Sequence, residues 1–112
     1  MKRTTLYRNL TVTDIKAMLN RGEHFRFIDI REPEEYAIAR IEGTELLSMS
    51  TAQEWLHTIA PDEPVVFFCH HGGRSQQLAS YAANQLGFTN TANMLGGIDD
   101  WSLLIDPDIP RY

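Results

Sequence analysis

The sequence has 112 residues, is 43% hydrophobic and carries a formal net charge of −5. This length suits one domain with a real core, and the acidic balance disfavours non-specific binding to nucleic acid. No apolar run is long enough to span a membrane, and no apolar stretch follows Met1-Lys2-Arg3 as a signal peptide requires. A single cysteine, Cys69, cannot form an internal disulfide, which favours a reducing compartment. We therefore expect one cytoplasmic domain over residues 1–112, with no nucleic-acid or membrane partner.

The first part of the chain predicts two strands joined by a helix. Residues 9–12 predict a short strand, and Thr13 or Asp14 can cap a following helix that runs to about Asn20. Residues 25–30 predict the second strand, because aromatic and β-branched side chains are enriched there.

A charged segment follows the second predicted strand. Pro33 suits the first turn of a short helix, where Glu34 and Glu35 complement the positive end. Arg31 and Glu35 are four positions apart and can pair. A brief third strand is expected at residues 45–47.

The second half continues the alternation of strands and helices. Capping-box and helical apolar patterns predict a helix within residues 50–59, and the apolar run at 65–68 predicts a buried strand. Residues 75–86 predict a helix that Gly87 ends, and residues 91–94 predict the last strand before a short final helix. Strands that alternate with helices indicate a parallel sheet covered on both faces. The residues of the 75–86 helix expected to face the core are Leu78, Tyr81, Ala82 and Leu86.

The only thiol lies where the strand over residues 65–68 turns into the next helix. Cys69 ends this strand, and ligands of parallel sheets bind beyond the carboxyl ends of the strands. Gly72 and Gly73 permit positive φ and a close approach of the backbone to a bound group. Such a turn directs several N–H groups to one spot, and the helix start and Arg74 add positive charge. We therefore predict a cradle for a small anion, or for a sulfur atom carried on Cys69, since these features stabilise a thiolate.

Other interpretations of these residues remain open at this point. A lone cysteine at the end of a buried strand is often a small core residue. A metal site of Cys69, His70 and His71 lacks further cysteines, and adjacent residues rarely reach one ion, so no metal is predicted. Either histidine can act as a general base, add positive charge when protonated, or be an exposed loop residue.

The segment from Cys69 to Ser75 resembles the C-x-x-G-x-R-S active-site loop of single-domain rhodaneses, the thiosulfate sulfurtransferases. Three further stretches resemble the family in the same order. Residues 28–36 are similar to D-x-R-E-P-x-E-[YF], Gly43-Thr44 takes the place of a G-A pair, and residues 95–101 are similar to L-x-G-G-x-x-x-W. The resemblance runs from about Leu10 to the end of the sequence.

This resemblance implies an α/β/α sandwich with a five-stranded parallel sheet in the order 1-5-4-2-3. It also implies that Cys69 is catalytic: its thiolate would attack a donor such as thiosulfate, release sulfite and carry a persulfide. A thiol or protein acceptor would then remove the sulfur, and no metal or organic cofactor is implied. The loop residues that would bind the anionic substrate are His70, His71, Gly72, Gly73, Arg74 and Ser75.

Two other functions share these features. A sulfur-carrier or protein-interaction module would deliver persulfide sulfur to a partner protein. A Cdc25-like phosphatase or arsenate reductase has the same fold but places five residues between its cysteine and arginine, whereas four separate Cys69 from Arg74. The shorter loop makes a tighter pocket, which favours transfer of sulfur over transfer of a phosphoryl group.

Six residues outside the loop carry further expectations. Arg40 stands where the family has a histidine, and we expect a surface role for it. Asp29 and Arg31 are expected to tie the second strand to neighbouring loops. The Gly96-Gly97 pair and Trp101 are expected to serve packing.

Overall fold

The computed structural model describes residues 6–112, in which strands and helices alternate. Residues 1–5, which include the Met1-Lys2-Arg3 stretch and the start of the expected domain, lie outside the described residues. Short 3-10 turns at Met49–Thr51 and Leu56–Thr58 flank the third helix. None of the helices in this part of the chain has the length and hydrophobicity to cross a membrane. The strands are β1 (Arg8–Leu10), β2 (Arg26–Asp29), β3 (Glu45–Leu46), β4 (Val65–Phe68) and β5 (Thr91–Met94), and the helices are α1 (Val12–Asn20), α2 (Pro33–Ile38), α3 (Ala52–Trp55), α4 (Gly73–Gln85) and α5 (Gly97–Leu104).

The five strands form one parallel sheet in the order β1-β5-β4-β2-β3, which confirms the predicted fold. The central strand is β4, where Phe67 lies opposite Ile28 of β2 and Asn93 of β5. Cys69 therefore leaves the sheet at its middle, on the edge where parallel α/β folds bind ligands.

Side chains of β4 alternate between two cores on opposite faces of the sheet. Val66 and Phe68 pack in the core that includes residues of α1 and α5. Val65, Phe67 and Cys69 belong to the core that includes residues of α3 and α4. This period of two is the pleat of a strand buried on both faces, and it gives the three layers of the predicted sandwich.

Helix α1 begins at Val12, two residues before the first helical position that a cap at Thr13 would give. Thr11 is the N-cap: its hydroxyl accepts from the Asp14 amide at 3.1 Å, and the Asp14 carboxylate accepts from the Thr11 amide at 2.9 Å. The choice of Thr13 or Asp14 as cap was wrong, because Asp14 instead completes a capping box from the first turn. The cap at Thr11 also ends β1 at Leu10.

Helix α4 begins at Gly73, two residues before its predicted start, and turns a different face to the core. Tyr81 and Leu86 are 51% and 38% exposed, so the prediction that both face inward was wrong. The buried stripe is built from Leu78 with small residues that let the helix approach the sheet closely. The alanines of this stripe are Ala79, Ala82 and Ala83.

Candidate active site

Main-chain donors of the loop after β4 converge on the Cys69 sulfur. Sγ accepts from the amide of Gly72 at 3.2 Å and from the amide of Ser75 at 3.4 Å. The Ser75 hydroxyl oxygen also lies 3.4 Å from Sγ. The side chain is only 1% exposed, so the sulfur lies at the base of the loop with N–H groups directed towards it. Donors in this arrangement stabilise negative charge on sulfur.

The start of α5 holds the carbonyl groups of the same loop. The amide of Ile98 donates to the Cys69 carbonyl at 2.9 Å, and the amide of Asp99 donates to the His70 carbonyl at 3.1 Å. A Cβ on Gly97 would lie 2.4 Å from each of these carbonyl oxygens. The carbonyl groups of Cys69 and His70 therefore bond to α5, and the loop amides face the thiol. The expected packing role of the glycine pair is consistent with this contact.

The turn itself depends on a left-handed glycine. Gly72 has a φ of +102° and is the N-cap of α4, and a Cβ there would lie 3.1 Å from the Gly96 amide. Gly73 is the first residue of α4 and has no atom within 4 Å of an added Cβ. Of the two glycines, only Gly72 therefore needs the conformational freedom that the sequence suggested for both.

Ser75 connects the thiol to β5. Its buried hydroxyl lies 2.5 Å from the Asn93 side-chain oxygen, and Asn93 in turn donates to the Asn9 side chain at 3.0 Å. A hydroxyl has one proton, and the short distance assigns it to Asn93. Sγ then receives main-chain donors and faces the oxygen lone pairs of Ser75.

Arg74 forms a two-bond ion pair with Glu35 of α2. Its Nη1 and Nη2 lie 2.7 Å and 3.0 Å from the two carboxylate oxygens. Hydrogen bonds from Arg74 lower the pKa of Glu35 to about 2, and Glu35 raises the pKa of Arg74. The predicted substrate-binding cation is therefore held in a fixed orientation, and part of its charge is balanced.

Arg31 pairs with Asp29 and not with the Glu35 carboxylate. Its guanidinium bonds the Asp29 carboxylate at 2.7 Å and donates to the Ala39 carbonyl at 2.6 Å, and both charged side chains are fully buried. The predicted pair of Arg31 with the Glu35 carboxylate was wrong, because Asp29 is nearer and Glu35 turns to Arg74. The expectation that Asp29 and Arg31 tie β2 to neighbouring loops is confirmed.

The two histidines of the loop form a stack with Tyr112. The His70 ring centroid lies 3.8 Å from that of His71 and 3.8 Å from that of Tyr112. Burial lowers the pKa of His70, with a further contribution from His71. His70 is therefore mainly neutral at neutral pH and adds little of the positive charge considered from the sequence. The side chain of His71 is 66% exposed.

A possible metal set in the described residues, His70, His71 and Asp99, has ligand atoms within 4.8 Å of one another. The fit is poor. Both Asp99 oxygens accept from Arg111, at 2.9 Å and 3.2 Å, and the histidine rings stack rather than converge on one point. Zinc requires nitrogen ligands at about 2.0–2.1 Å aimed at a single centre. The absence of a metal stays a prediction.

Arg40 lies on the surface. Its side chain is 52% exposed, approaches Glu42 at 3.8 Å and stands over the Tyr36 ring. The expected surface role is confirmed.

Trp101 is 4% exposed and its ring meets Phe27 edge-on at 5.8 Å, as expected of a packing residue.

Two polar residues at the loop were missed from the sequence. Asn93 interrupts the apolar pattern of β5, and a fully buried amide in a central strand was a usable signal. Tyr112 gave no local signal, because its partners lie far away along the chain.

These features define a parallel α/β/α domain whose central strand delivers a cysteine into a loop of main-chain donors. The model of the rhodanese-like domain matches residues 11–104, and the chain belongs to that family. Relatives of this chain include proteins named as thiosulfate sulfurtransferases.

Known proteins similar to this chain agree with that assignment. A rhodanese-like/PpiC domain-containing protein 12, chloroplastic, of Arabidopsis thaliana is 36% identical over 91 residues, which are 78% of this chain and 30% of the plant protein. The chain thus spans under a third of that relative. A thiosulfate sulfurtransferase GlpE of Pseudomonas fluorescens is 34% identical over 74 residues, covering 66% of this chain and 67% of that protein. A crystal structure of a rhodanese-like domain protein from Staphylococcus aureus superposes with a TM-score of 0.77 at 23% identity, over 94% and 98% of the two chains, and so supports the fold.

Proposed function

We propose that this domain transfers sulfane sulfur through a persulfide on Cys69, with thiosulfate or a related small anion as donor. The observation that carries the proposal is the set of donors around Sγ: the amides of Gly72 and Ser75 at 3.2 Å and 3.4 Å. These groups are positioned for negative charge on sulfur before the donor arrives, which is where preorganised dipoles have their largest effect on rate.

The reaction has two steps that return the enzyme unchanged. The Cys69 thiolate attacks the outer sulfur of thiosulfate, the S–S bond breaks, and sulfite leaves with the bonding electron pair. Cys69 then carries an S–S⁻ group that the loop amides stabilise. An acceptor such as cyanide, a thiol or a protein thiolate attacks the outer sulfur, and the Cys69 thiolate leaves.

The size of the loop favours sulfur over a phosphoryl group. Only four residues separate Cys69 from Arg74, and the amides reach the cysteine sulfur itself. A phosphatase needs donors directed at three phosphoryl oxygens beyond the nucleophile. A loop closed around Sγ instead suits one added sulfur atom.

Burial of the thiol sets a requirement on donor and acceptor. Cys69 is 1% exposed, so very little of its surface is open to a donor, which favours a small one. The reaction also needs a free thiol, which a reducing compartment maintains. We therefore infer a cytoplasmic enzyme that uses a small anionic donor and a thiol or protein acceptor, without a metal or organic cofactor.

The decisive experiment is intact-mass measurement after incubation with thiosulfate and removal of excess donor. We expect one added sulfur atom on the wild type, its loss as thiocyanate when cyanide is added, and no addition to Cys69→Ser. Circular dichroism of Cys69→Ser should match the wild type. A wild type that gains no sulfur from thiosulfate, or a Cys69→Ser variant that still forms thiocyanate, would overturn the proposal. Hydrolysis of p-nitrophenyl phosphate by the wild type and not by Cys69→Ser would favour the phosphatase alternative.

A further inference from the structure

Tyr112 contacts the loop from outside the motif that defines it. Its ring lies parallel to the His70 ring, with centroids 3.8 Å apart and planes at 7°. Its hydroxyl donates to Glu35 Oε2 at 2.7 Å and accepts from Arg31 Nη1 at 2.9 Å. One side chain therefore contacts His70, which follows Cys69, and a member of each of two ion pairs, Arg31–Asp29 and Arg74–Glu35.

The Tyr112 hydroxyl completes the surroundings of the Glu35 carboxylate. Oε1 accepts from Arg74 Nη1 at 2.7 Å and from the Glu32 amide at 3.2 Å. Oε2 accepts from Arg74 Nη2 at 3.0 Å and from Tyr112 at 2.7 Å. Each oxygen thus has two donors. Without the phenol, Oε2 would be held by Arg74 alone, and the partly exposed ion pair would be free to swing towards solvent.

The phenol is suited to act as a donor at this place. Burial raises the pKa of Tyr112 to about 12, and Arg31 opposes that rise. The hydroxyl therefore keeps its proton throughout the neutral range. The Arg31 guanidinium is itself fixed by the buried Asp29 carboxylate at 2.7 Å, so the acceptor side of the hydroxyl is anchored as well.

The segment before Tyr112 is attached to α5, which delivers the ring to the loop. Ile109 is 9% exposed, and its carbonyl accepts from the Ser102 hydroxyl at 2.6 Å. Arg111 bonds the Asp99 carboxylate at 2.9 Å and 3.2 Å. Because α5 also holds the carbonyls of Cys69 and His70, one helix positions both the loop and the residue that covers His70.

We propose that Tyr112 is a positioning residue for sulfur transfer: its hydroxyl fixes Glu35 and through it Arg74, and its ring fixes His70 against the loop. This inference rests on the persulfide function proposed above. The two contacts are separable, because Tyr112→Phe removes only the hydroxyl, whereas Tyr112→Leu removes hydroxyl and ring stacking together. Tyr81→Phe, which changes an exposed tyrosine of α4, is the matched control.

The test compares the three variants with wild type in thiosulfate and cyanide kinetics. The lost hydrogen bond acts on the donor only through Glu35 and Arg74, so we expect a KM for thiosulfate raised about threefold to tenfold in Tyr112→Phe, with kcat within about twofold. Tyr112→Leu should raise KM at least as far. The NMR titration of the His70 ring should move to higher pH in Tyr112→Leu and not in Tyr112→Phe, because only the former uncovers the ring. Tyr81→Phe should match wild type in every measurement.

Three outcomes overturn the inference. If Tyr112→Phe and Tyr112→Leu keep the wild-type KM while wild type gains sulfur on Cys69, the positioning role fails and the proposed function stands. A lowered unfolding midpoint with unchanged KM and an unchanged His70 titration assigns Tyr112 a structural role only. If wild type gains no sulfur at all, the proposed function fails first and the positioning role falls with it.

Discussion

Glu35 in α2 and Arg74 at the start of α4 are joined by two hydrogen bonds of 2.7 Å and 3.0 Å. The pair fixes the guanidinium plane without removing it from solvent, since the Arg74 side chain is 38% exposed. A bidentate contact of this kind orients an arginine as no single bond can. The net charge that a donor anion meets therefore depends on both residues.

Arg74→Ala leaves the Glu35 carboxylate beside the loop without its cation. We expect the KM for thiosulfate to rise about tenfold or more, because a charged hydrogen-bond donor is lost and an uncompensated anion repels the donor. The double variant Arg74→Ala/Glu35→Gln should recover part of the loss, since the repelling charge is gone. Arg21→Ala, which removes the exposed partner of Glu23, is the control and should keep the wild-type KM. A double variant that is worse than Arg74→Ala would contradict this account.

The Glu35 ion pair should also make stability depend on pH. The pKa of Glu35 is lowered from 4.5 to about 2 in the folded protein, so the folded state binds the proton less tightly than the unfolded state. The stabilisation is complete above the unfolded pKa and is lost as the pH falls through the folded value. Urea unfolding of wild type and Glu35→Gln should therefore show a difference in unfolding free energy that is largest near neutral pH and shrinks between about pH 4.5 and 2.

The control for this pH dependence is Glu42→Gln. The Glu42 side chain is 92% exposed and approaches Arg40 only at 3.8 Å. Its replacement should leave the unfolding profile at the wild-type values across the same range. A constant difference between wild type and Glu35→Gln at every pH would mean that the ion pair does not contribute through its charge.

The parts of the site that sequence reasoning predicted are those whose causes are local. An apolar run, one cysteine and a glycine at a forced turn lie within residues 65–75, so strand, loop and helix could all be inferred from neighbours in the chain. The partners of the loop are distant: Glu35 is 39 positions from Arg74, and Tyr112 is 77 positions from Glu35. No periodicity or capping pattern in the sequence indicates such contacts, because they arise only when the sheet brings α2, α4 and the end of the chain together.

The errors at helix faces and ends have a similar origin. Tyr81 continues an apolar spacing that would suit the core, but close approach of α4 to the sheet selects the alanines and leaves the larger ring outside. Asp14 was correctly predicted as a polar residue at a helix start. Its role as capping-box partner, however, depends on Thr11 being the N-cap, directly after β1 ends. In both cases packing decides between local alternatives of similar free energy.

Gly97→Ala should displace the Cys69 loop through its main-chain carbonyl groups. Gly97 has a φ of +60°, and its added Cβ would lie 2.4 Å from the Cys69 and His70 carbonyls. We expect a loss of about 3 kcal/mol or more in unfolding free energy, from a strained backbone and a clash with main-chain atoms. Gly43→Ala is matched in backbone, with a φ of +84° and no atom within 4 Å, and should lose only about 1–2 kcal/mol.

The same two glycine variants distinguish the effect of a strained backbone on stability from the effect of a displaced loop on turnover. Gly43→Ala should retain wild-type turnover below its unfolding temperature, whereas Gly97→Ala should lose turnover even where it is folded, because the carbonyls of Cys69 and His70 are displaced. Equal losses of stability and activity in both variants would show that the contact with α5 has no special effect on the loop.

Ser75→Ala tests the link between the thiol and β5. The variant keeps the Ser75 amide that donates to Sγ but leaves the buried Asn93 oxygen without the hydroxyl that lies 2.5 Å away. An unsatisfied buried acceptor predicts a loss of about 1–3 kcal/mol in unfolding free energy. Because the main-chain donors remain, Cys69 should still accept sulfur from thiosulfate in the intact-mass assay. Ser80→Ala, on the same helix and partly exposed, should cost little by comparison.

A double-mutant cycle decides whether that cost comes from the orphaned Asn93 oxygen. Asn93→Ala removes the acceptor, so Ser75→Ala/Asn93→Ala should lose less unfolding free energy than the sum of the two single variants. Chemical denaturation of the four proteins at one pH measures the coupling. Strict additivity would show that the 2.5 Å contact does not stabilise the fold. Ser75 would then contribute to the loop only through its amide.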